Sequence, residues 1–273
     1  MSLQVRTFPQ LGEAAQALAA DRGARYLGGG TFVMRAINEG DVSITTIVRS
    51  TDPALQQIRS DGDRIHIGAG VTMSQVAASR DSDFLAAPAQ SVGGPAVRNM
   101  ATVGGNLFAR SPYGDFTAAL LALDATVHVV EGAGRRETPL EEFLRQGAQS
   151  EPRRVVAGVS VRRPHSRDAF RFRKMTRVKP AGASVIAIAA HLPNAGGRVQ
   201  GARVAYVSMG PRPTRVQAVE RALEGATLDE SGIAGALAAA TEGLDPPTDA
   251  IASYWYRREV APAVLKRLLL GIQ

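Results

Sequence analysis

The chain of 273 residues is long enough for about two domains. Hydrophobic residues make up 45% and charged residues 21%, the balance of a globular chain and not of a disordered one. The absence of cysteine excludes disulfides, a thiol nucleophile and Cys-ligated metal or iron–sulfur clusters within this chain, while the net charge of +7 leaves nucleic acid, a nucleotide cofactor or an acidic partner open.

In chain order, residues 11–22 place apolar and alanine positions at helical spacing and stop at Gly23. Residues 24–27 read as a short strand running into Gly28-Gly29-Gly30-Thr31, with a helix over 32–38 opening on that turn. The β-branched run 44–48 is a strand, and the polar stretch 59–64 is a hairpin turn before a strand at 65–69. Thr72 and Gln75 have capping-box spacing and start a helix. From 84 to 115 the chain reads as loop, punctuated by Gly93-Gly94-Pro95, Gly104-Gly105 and Ser111-Pro112. A helical turn at 118–123 and strands at 126–130 and 155–161 follow. Beyond about residue 165, strands at 185–192 and 204–209 precede helices at 215–223, 233–243 and 253–270. Strands followed by helices predict an α+β domain with its helices on one face of an antiparallel sheet. The longest apolar runs fall short of the ~18 residues of a membrane span, and the first residues carry no secretory pattern, so a cytoplasmic protein is expected.

Two glycine-bearing loops are the chemical candidates. Leu27-Gly28-Gly29-Gly30-Thr31 stands at a strand end and opens a helix, where glycine lets the backbone approach a ligand and unpaired amides attract phosphate oxygens. An ordinary tight turn explains the same residues, and neither a Walker A lysine nor a GxGxxG pattern is present. Thr102-Val103-Gly104-Gly105-Asn106 offers a second set of backbone donors, and Asp115 nearby suits a ribose or ribityl hydroxyl. A basic stretch, Arg162, Arg163, Arg167, Arg171, Arg173, Lys174, Arg177 and Lys179, reads either as a solvated face or as cations reaching a cofactor. The four histidines, His66, His128, His165 and His191, stand apart in sequence and are expected to be structural. No hydrolase elbow, metalloprotease motif or obvious carboxylate pair is found, so any chemistry is a cofactor's.

Taken together these segments resemble the FAD-binding medium subunit of the molybdenum hydroxylases, the xanthine dehydrogenase and carbon monoxide dehydrogenase group, over nearly the whole chain. Leu27 to Met34 is similar to the family's first pyrophosphate loop, with Leu-Gly in place of Ala-Gly at its start. Val97-Arg98-Asn99-Met100-Ala101-Thr102-Val103-Gly104-Gly105-Asn106 resembles its VRN…GGN segment, and Ser111-Pro112-Tyr113-Gly114-Asp115 its SPxxD. Lys174 and Arg177 resemble the K-x-x-R entry to the C-terminal domain, although Val178-Lys179-Pro180 departs from the usual pattern. Residues 209–215 and Ser253-Tyr254-Trp255-Tyr256-Arg257 are similar to that domain's signatures.

The resemblance implies a two-subdomain PCMH-type FAD-binding unit over 1–165, split near residue 55, followed by the family's C-terminal α+β domain over 166–273. It implies an oxidoreductase subunit with FAD as its own cofactor. Molybdopterin and [2Fe–2S] clusters would lie on a large and a small partner protein, in a dimer of heterotrimers. Electrons would pass from molybdenum through the clusters to the flavin, then to NAD, oxygen or a quinone. The cofactor contacts it implies are Leu27, Gly28, Gly29, Gly30, Thr31, Phe32, Val33 and Met34; Thr102, Val103, Gly104, Gly105 and Asn106; Asp115 on a hydroxyl; Lys174 at the flavin's polar edge; and Val156, with Val155 the alternative. A self-contained PCMH-type flavin oxidase is the alternative function. Such relatives often tether FAD through a histidine near the first loop, and none stands between Gly28 and Arg64.

Overall fold

The computed structural model describes residues 3–131, 134–147, 154–179 and 182–272. In chain order its first elements are β1 (Gln4–Phe8), α1 (Leu11–Ala20), β2 (Ala24–Tyr26), α2 (Val33–Asn38), β3 (Thr46–Ser50), β4 (Ile58–Asp61), β5 (Arg64–Gly68) and α3 (Met73–Ala78). Next come α4 (Ala86–Gln90), α5 (Pro95–Met100), α6 (Val103–Asn106), α7 (Asp115–Ala122), β6 (Thr126–Glu131), β7 (Gly134–Pro139), α8 (Leu140–Arg145) and β8 (Val155–Arg162). The remainder is β9 (Phe170–Thr176), β10 (Ser184–His191), β11 (Asn194–Ala195), β12 (Arg198–Val199), β13 (Arg203–Val207), β14 (Thr214–Arg215), α9 (Gln217–Leu223), α10 (Ala234–Ala238) and α11 (Tyr254–Leu269).

The chain folds as two compact units that are not linear segments: the first takes residues 1–83, 95–108 and 125–161, the second 84–94, 109–124 and 162–273. In the first unit, β1, β3 and β2 form a parallel sheet, with Gln4 and Ala24 both opposite Thr46. α1 packs against all three strands and buries Leu11, Ala14, Ala17 and Leu18, one stripe at helical spacing. The larger sheet has the order β4-β5-β8-β6-β7. α3 begins with a complete capping box between Thr72 and Gln75, as its spacing predicts.

In the second unit, β14, β13, β10 and β9 form an antiparallel sheet. Ile186, Ile188 and Ala190 of β10 join Val219, Leu223, Ala261, Val264 and Leu265 of α9 and α11 in one core cluster. The intervening residues of β10 are equally buried, and α7, all eight of whose residues are buried, packs on β10 and β13. The expectation of helices on one face is corrected here. A strand apolar at every position needs cover on both faces. Arg257 of α11 is fully buried and donates to Val185 O, Pro247 O, Ala252 O and both carboxylate oxygens of Asp249.

The stretch 84–115, expected as loop, contains the short helices α4, α5 and α6, each too brief to show a helical period. β1, β7, α8 and β9 are elements that periodicity missed. β7 is mostly exposed and polar, and β9 alternates aromatic with basic residues, so neither reads as a buried strand. β11 and β12 close through Gly196 and Gly197, whose φ values of +60° and +81° suit a hairpin turn that other residues adopt at a cost.

Candidate cofactor-binding site

The two glycine loops meet within the first unit. β2 ends at Tyr26, the Leu27 amide donates to Val48 O at 2.8 Å, and the chain then leaves the sheet through Gly28-Gly29-Gly30. A Cβ on Gly29 would stand 1.6 Å from Met100 O, and one on Gly28 would stand 2.9 Å from Thr102 Oγ1. Only glycine permits that approach. Gly30 turns with φ +76° and its carbonyl accepts from Met34 N, which starts α2. The amides of Gly28, Gly29, Gly30 and Thr31 meet no acceptor among the described residues, and Gly28 is exposed. α2 buries none of its residues, and Phe32 and Met34 are exposed, as are Val97 and Met100 of α5. Four free amides and a bare apolar rim fit a ligand with an anionic diphosphate and flat apolar rings.

The second loop divides the work differently from the first. Val103 N donates to Val71 O and Gly104 N to Ala69 O, each at 2.8 Å. Gly105 N donates to Thr102 Oγ1 at 3.2 Å, and Asn106 N donates to Thr102 O at 3.0 Å. The main-chain donors of residues 103–106 thus already have acceptors within the protein. Their amides close the turn and fasten it to residues 69–71, because a buried amide must find an acceptor. Gly104 is glycine for packing, since a Cβ there would stand 2.8 Å from Ala69 Cβ. What this loop turns toward the first is the Thr102 hydroxyl, with Asn106 Nδ2 holding Thr102 O at 2.9 Å. The turn 69–73 that anchors the loop, including the bridge between Thr72 and Thr102, went unrecognised as part of the site. Its one local signal was the capping box.

In the second unit, Asp115 and Lys174 come together. Lys174 Nζ lies 2.7 Å from Asp115 Oδ2 and donates to Ser91 O at 2.9 Å, and Ser184 Oγ donates to Asp115 Oδ1 at 2.6 Å. The pair is almost fully buried. Burial pushes the Asp115 carboxyl above its usual range, opposed by the Lys174 charge and the Lys174 and Ser184 hydrogen bonds. Both residues singled out from the sequence thus hold each other, and Ser184 and Ser91, which position them, gave no sequence signal. Val155 and Val156 lie side by side in β8, both buried. Of the basic stretch, Arg171 donates to Leu268 O and Leu269 O and Arg173 to Ile272 O, so these cations cap the C-terminal end of α11.

Residues 4–164 match the family described as FAD binding domain in molybdopterin dehydrogenase. The chain belongs to this family. Residues 170–272 match the CO dehydrogenase flavoprotein C-terminal domain. Among similar proteins, the 6-hydroxypseudooxynicotine dehydrogenase complex subunit alpha of Paenarthrobacter nicotinovorans is 29% identical over 94% of this chain and 90% of its own. The nicotinate dehydrogenase FAD-subunit of Eubacterium barkeri is 28% identical over 80% of this chain and 77% of its own. Among solved structures, quinoline 2-oxidoreductase from Pseudomonas putida 86 superposes with a TM-score of 0.88 at 26% identity, covering 100% of this chain and 97% of that one. The chain is thus an FAD-binding oxidoreductase subunit of the molybdenum hydroxylase family, with the α+β architecture expected. No helix among the described residues is long and apolar enough to cross a membrane.

Proposed function

We propose that this chain is the flavin-carrying electron-transfer subunit of a molybdenum hydroxylase complex. Electrons taken from substrate at the molybdenum cofactor of a large subunit pass through [2Fe–2S] clusters of a small subunit to this chain, then to an external acceptor. The observation that carries the reading is the close approach of Gly28 and Gly29 to Met100 and Thr102 beside four uncommitted amides. Relatives named as part of a dehydrogenase complex and as an FAD-subunit support it.

FAD, when bound, supplies the redox chemistry. The amides of Gly28, Gly29, Gly30 and Thr31 donate to its diphosphate, and the Thr102 hydroxyl adds a donor, with Asn106 fixing that hydroxyl's backbone. Val103, Gly104 and Gly105 shape the second loop, while Leu27, Phe32, Val33 and Met34 exclude water. Asp115 accepts from a cofactor hydroxyl, Lys174 places a positive charge near the flavin's polar edge, and Val156 belongs to the apolar lining. Ser184 and Ser91 keep the Asp115 and Lys174 side chains in fixed rotamers. The domain division at 165/166 with a split near 55, the cytoplasmic location and the dimer of heterotrimers belong to the same proposal.

The test uses the purified chain. It should take up stoichiometric FAD, release it intact on acid precipitation, and oxidise no substrate until iron–sulfur and molybdenum subunits are added. A folded chain that takes up no FAD would overturn the proposal.

A further inference from the structure

Outside the glycine loops, the larger sheet of the first unit carries a polar row across four adjacent strands, β5, β8, β6 and β7. Ser160 on β8 is 2% exposed, and its hydroxyl lies 2.7 Å from His66 Nδ1 on β5 and 2.5 Å from His128 Nε2 on β6. The two rings stand 6.0 Å apart. Glu137 on β7, opposite His128 in register, brings Oε1 to 3.6 Å from His128 Nδ1. Two histidines far apart in sequence thus share one buried hydroxyl.

A hydroxyl has one hydrogen. With both imidazoles neutral, one ring N–H donates to Ser160 and Ser160 donates to the other ring. One added proton, placed on the far nitrogen of a ring, preserves both bonds. A second places N–H on both facing nitrogens and strips the hydroxyl hydrogen of its acceptor in the row. At a buried position that loss is costly.

The row adjoins the anchor of the second glycine loop. β5 runs from His66 to Gly68 and on to Ala69, whose amide donates to Ala157 O of β8 and whose carbonyl accepts from Gly104 N. β5 and β8 touch closely: a Cβ on Gly158 would stand 2.6 Å from Ile67 O.

We propose that the His66, Ser160 and His128 row is a proton-sensitive clamp on the second loop, which opens in mild acid once proton uptake leaves the Ser160 hydroxyl without an acceptor in the row and thereby weakens the chain's hold on FAD. The clamp rests on the FAD assignment above only for its consequence, not for its existence.

The charges acting on the row support the direction. Burial lowers the His128 imidazole below its usual value; Glu137 opposes this, while His66, Arg135 and Arg64 add to it. Arg59 of β4 stands opposite His66 in register, and the helices packed against β6 carry Glu13 on α1 and Glu141, Glu142 and Arg145 on α8. With His128 depressed in the folded state, the unfolded chain takes up the proton first. Stability is full above the unfolded value of about 6.5 and falls as pH drops below it.

The test compares the full wild-type chain with the double variant His66→Gln/His128→Gln, whose amides hydrogen bond to Ser160 and cannot charge. FAD affinity, read by flavin fluorescence, should fall about tenfold from pH 7.5 to 5.5 in the wild type and less than about threefold in the variant. Equal falls would overturn the proposal. The melting temperature of the FAD-free chain gives a second reading that does not depend on the cofactor. It should drop more in the wild type than in the variant over the same interval, and parallel drops would overturn the clamp. Failure to bind FAD at either pH, with the melting difference intact, would overturn the cofactor assignment and leave the clamp standing.

Discussion

A methyl group on Gly29 would meet the Met100 carbonyl at 1.6 Å and the Ala101 amide nitrogen at 3.1 Å, both backbone atoms with no rotamer to give way. Gly29→Ala is therefore expected to force the loops apart and cost at least about 100-fold in FAD affinity, roughly 2.7 kcal/mol, by fluorescence titration. Gly28→Ala faces only the Thr102 hydroxyl at 2.9 Å and should cost about tenfold. Equal losses in the two variants would show that contact between the loops does not set the site. Tyr206 poses the opposite problem: it is fully buried, burial pushes its phenol well above the usual range, and its hydroxyl has no hydrogen-bond partner among the described residues. Tyr206→Phe removes that hydroxyl and is expected to stabilise the chain by about 1 kcal/mol, seen as a higher midpoint in urea. A lower midpoint would mean that the hydroxyl is satisfied. The glycines of the first loop were legible in the sequence because a missing side chain is a property of the residue itself. Whether an amide is free is not, because the acceptors of the second loop's amides, Ala69 O and Val71 O, are brought to it by the fold.

Elements were legible where one face is apolar at a fixed period and illegible where it is not. α1, α11, β8 and β10 fall where periodicity puts them, within a residue or two at each end, and α3 starts where its capping box puts it. β7, with four exposed residues in succession, and the very short α4 to α6 do not announce themselves. The placing of α11 rests on Arg257, whose guanidinium joins β10 at Val185 to the segment 247–252. Arg257→Leu removes the guanidinium donor from Val185 O, Pro247 O and Asp249 Oδ2, while Asp249 Oδ1 keeps the Ile251 and Ala252 amides and Ala252 O keeps the Asp249 amide, and it should destabilise by about 3 kcal/mol in chemical denaturation. Arg257→Lys, lacking the planar fork, should recover only part of that loss. A change below about 0.5 kcal/mol in the leucine variant would mean that the buried cation is dispensable.

At the scale of the whole molecule, the chain's linear order and its compact units disagree. Residues 109–124 precede β6 of the first unit yet fold with the second, where α7 lies on β10 and β13. A fragment ending at residue 165 retains α7 without the sheet that covers Phe116, Leu120 and Leu121. It is expected to aggregate or bind a hydrophobic dye, whereas the full chain stays monodisperse in the same assay. A soluble, dye-silent fragment would refute that reliance. The net charge of +7 acts at the same scale: association with an acidic partner protein should slow several-fold between about 50 and 500 mM salt. A rate indifferent to salt would leave the charge without that role.

What the sequence by itself determined was local: where glycine strips the backbone bare, which runs need covering, and which motifs mark the family. The first two follow from residue type and spacing alone, and the third from resemblance to known sequences. The tertiary structure alone decided which donors remain uncommitted. It paired Lys174 with Asp115 across 59 residues and brought His66 to Ser160 across 94. Hydrogen bonds and ion pairs saturate, so a group's availability depends on every partner the fold carries to it from elsewhere in the chain.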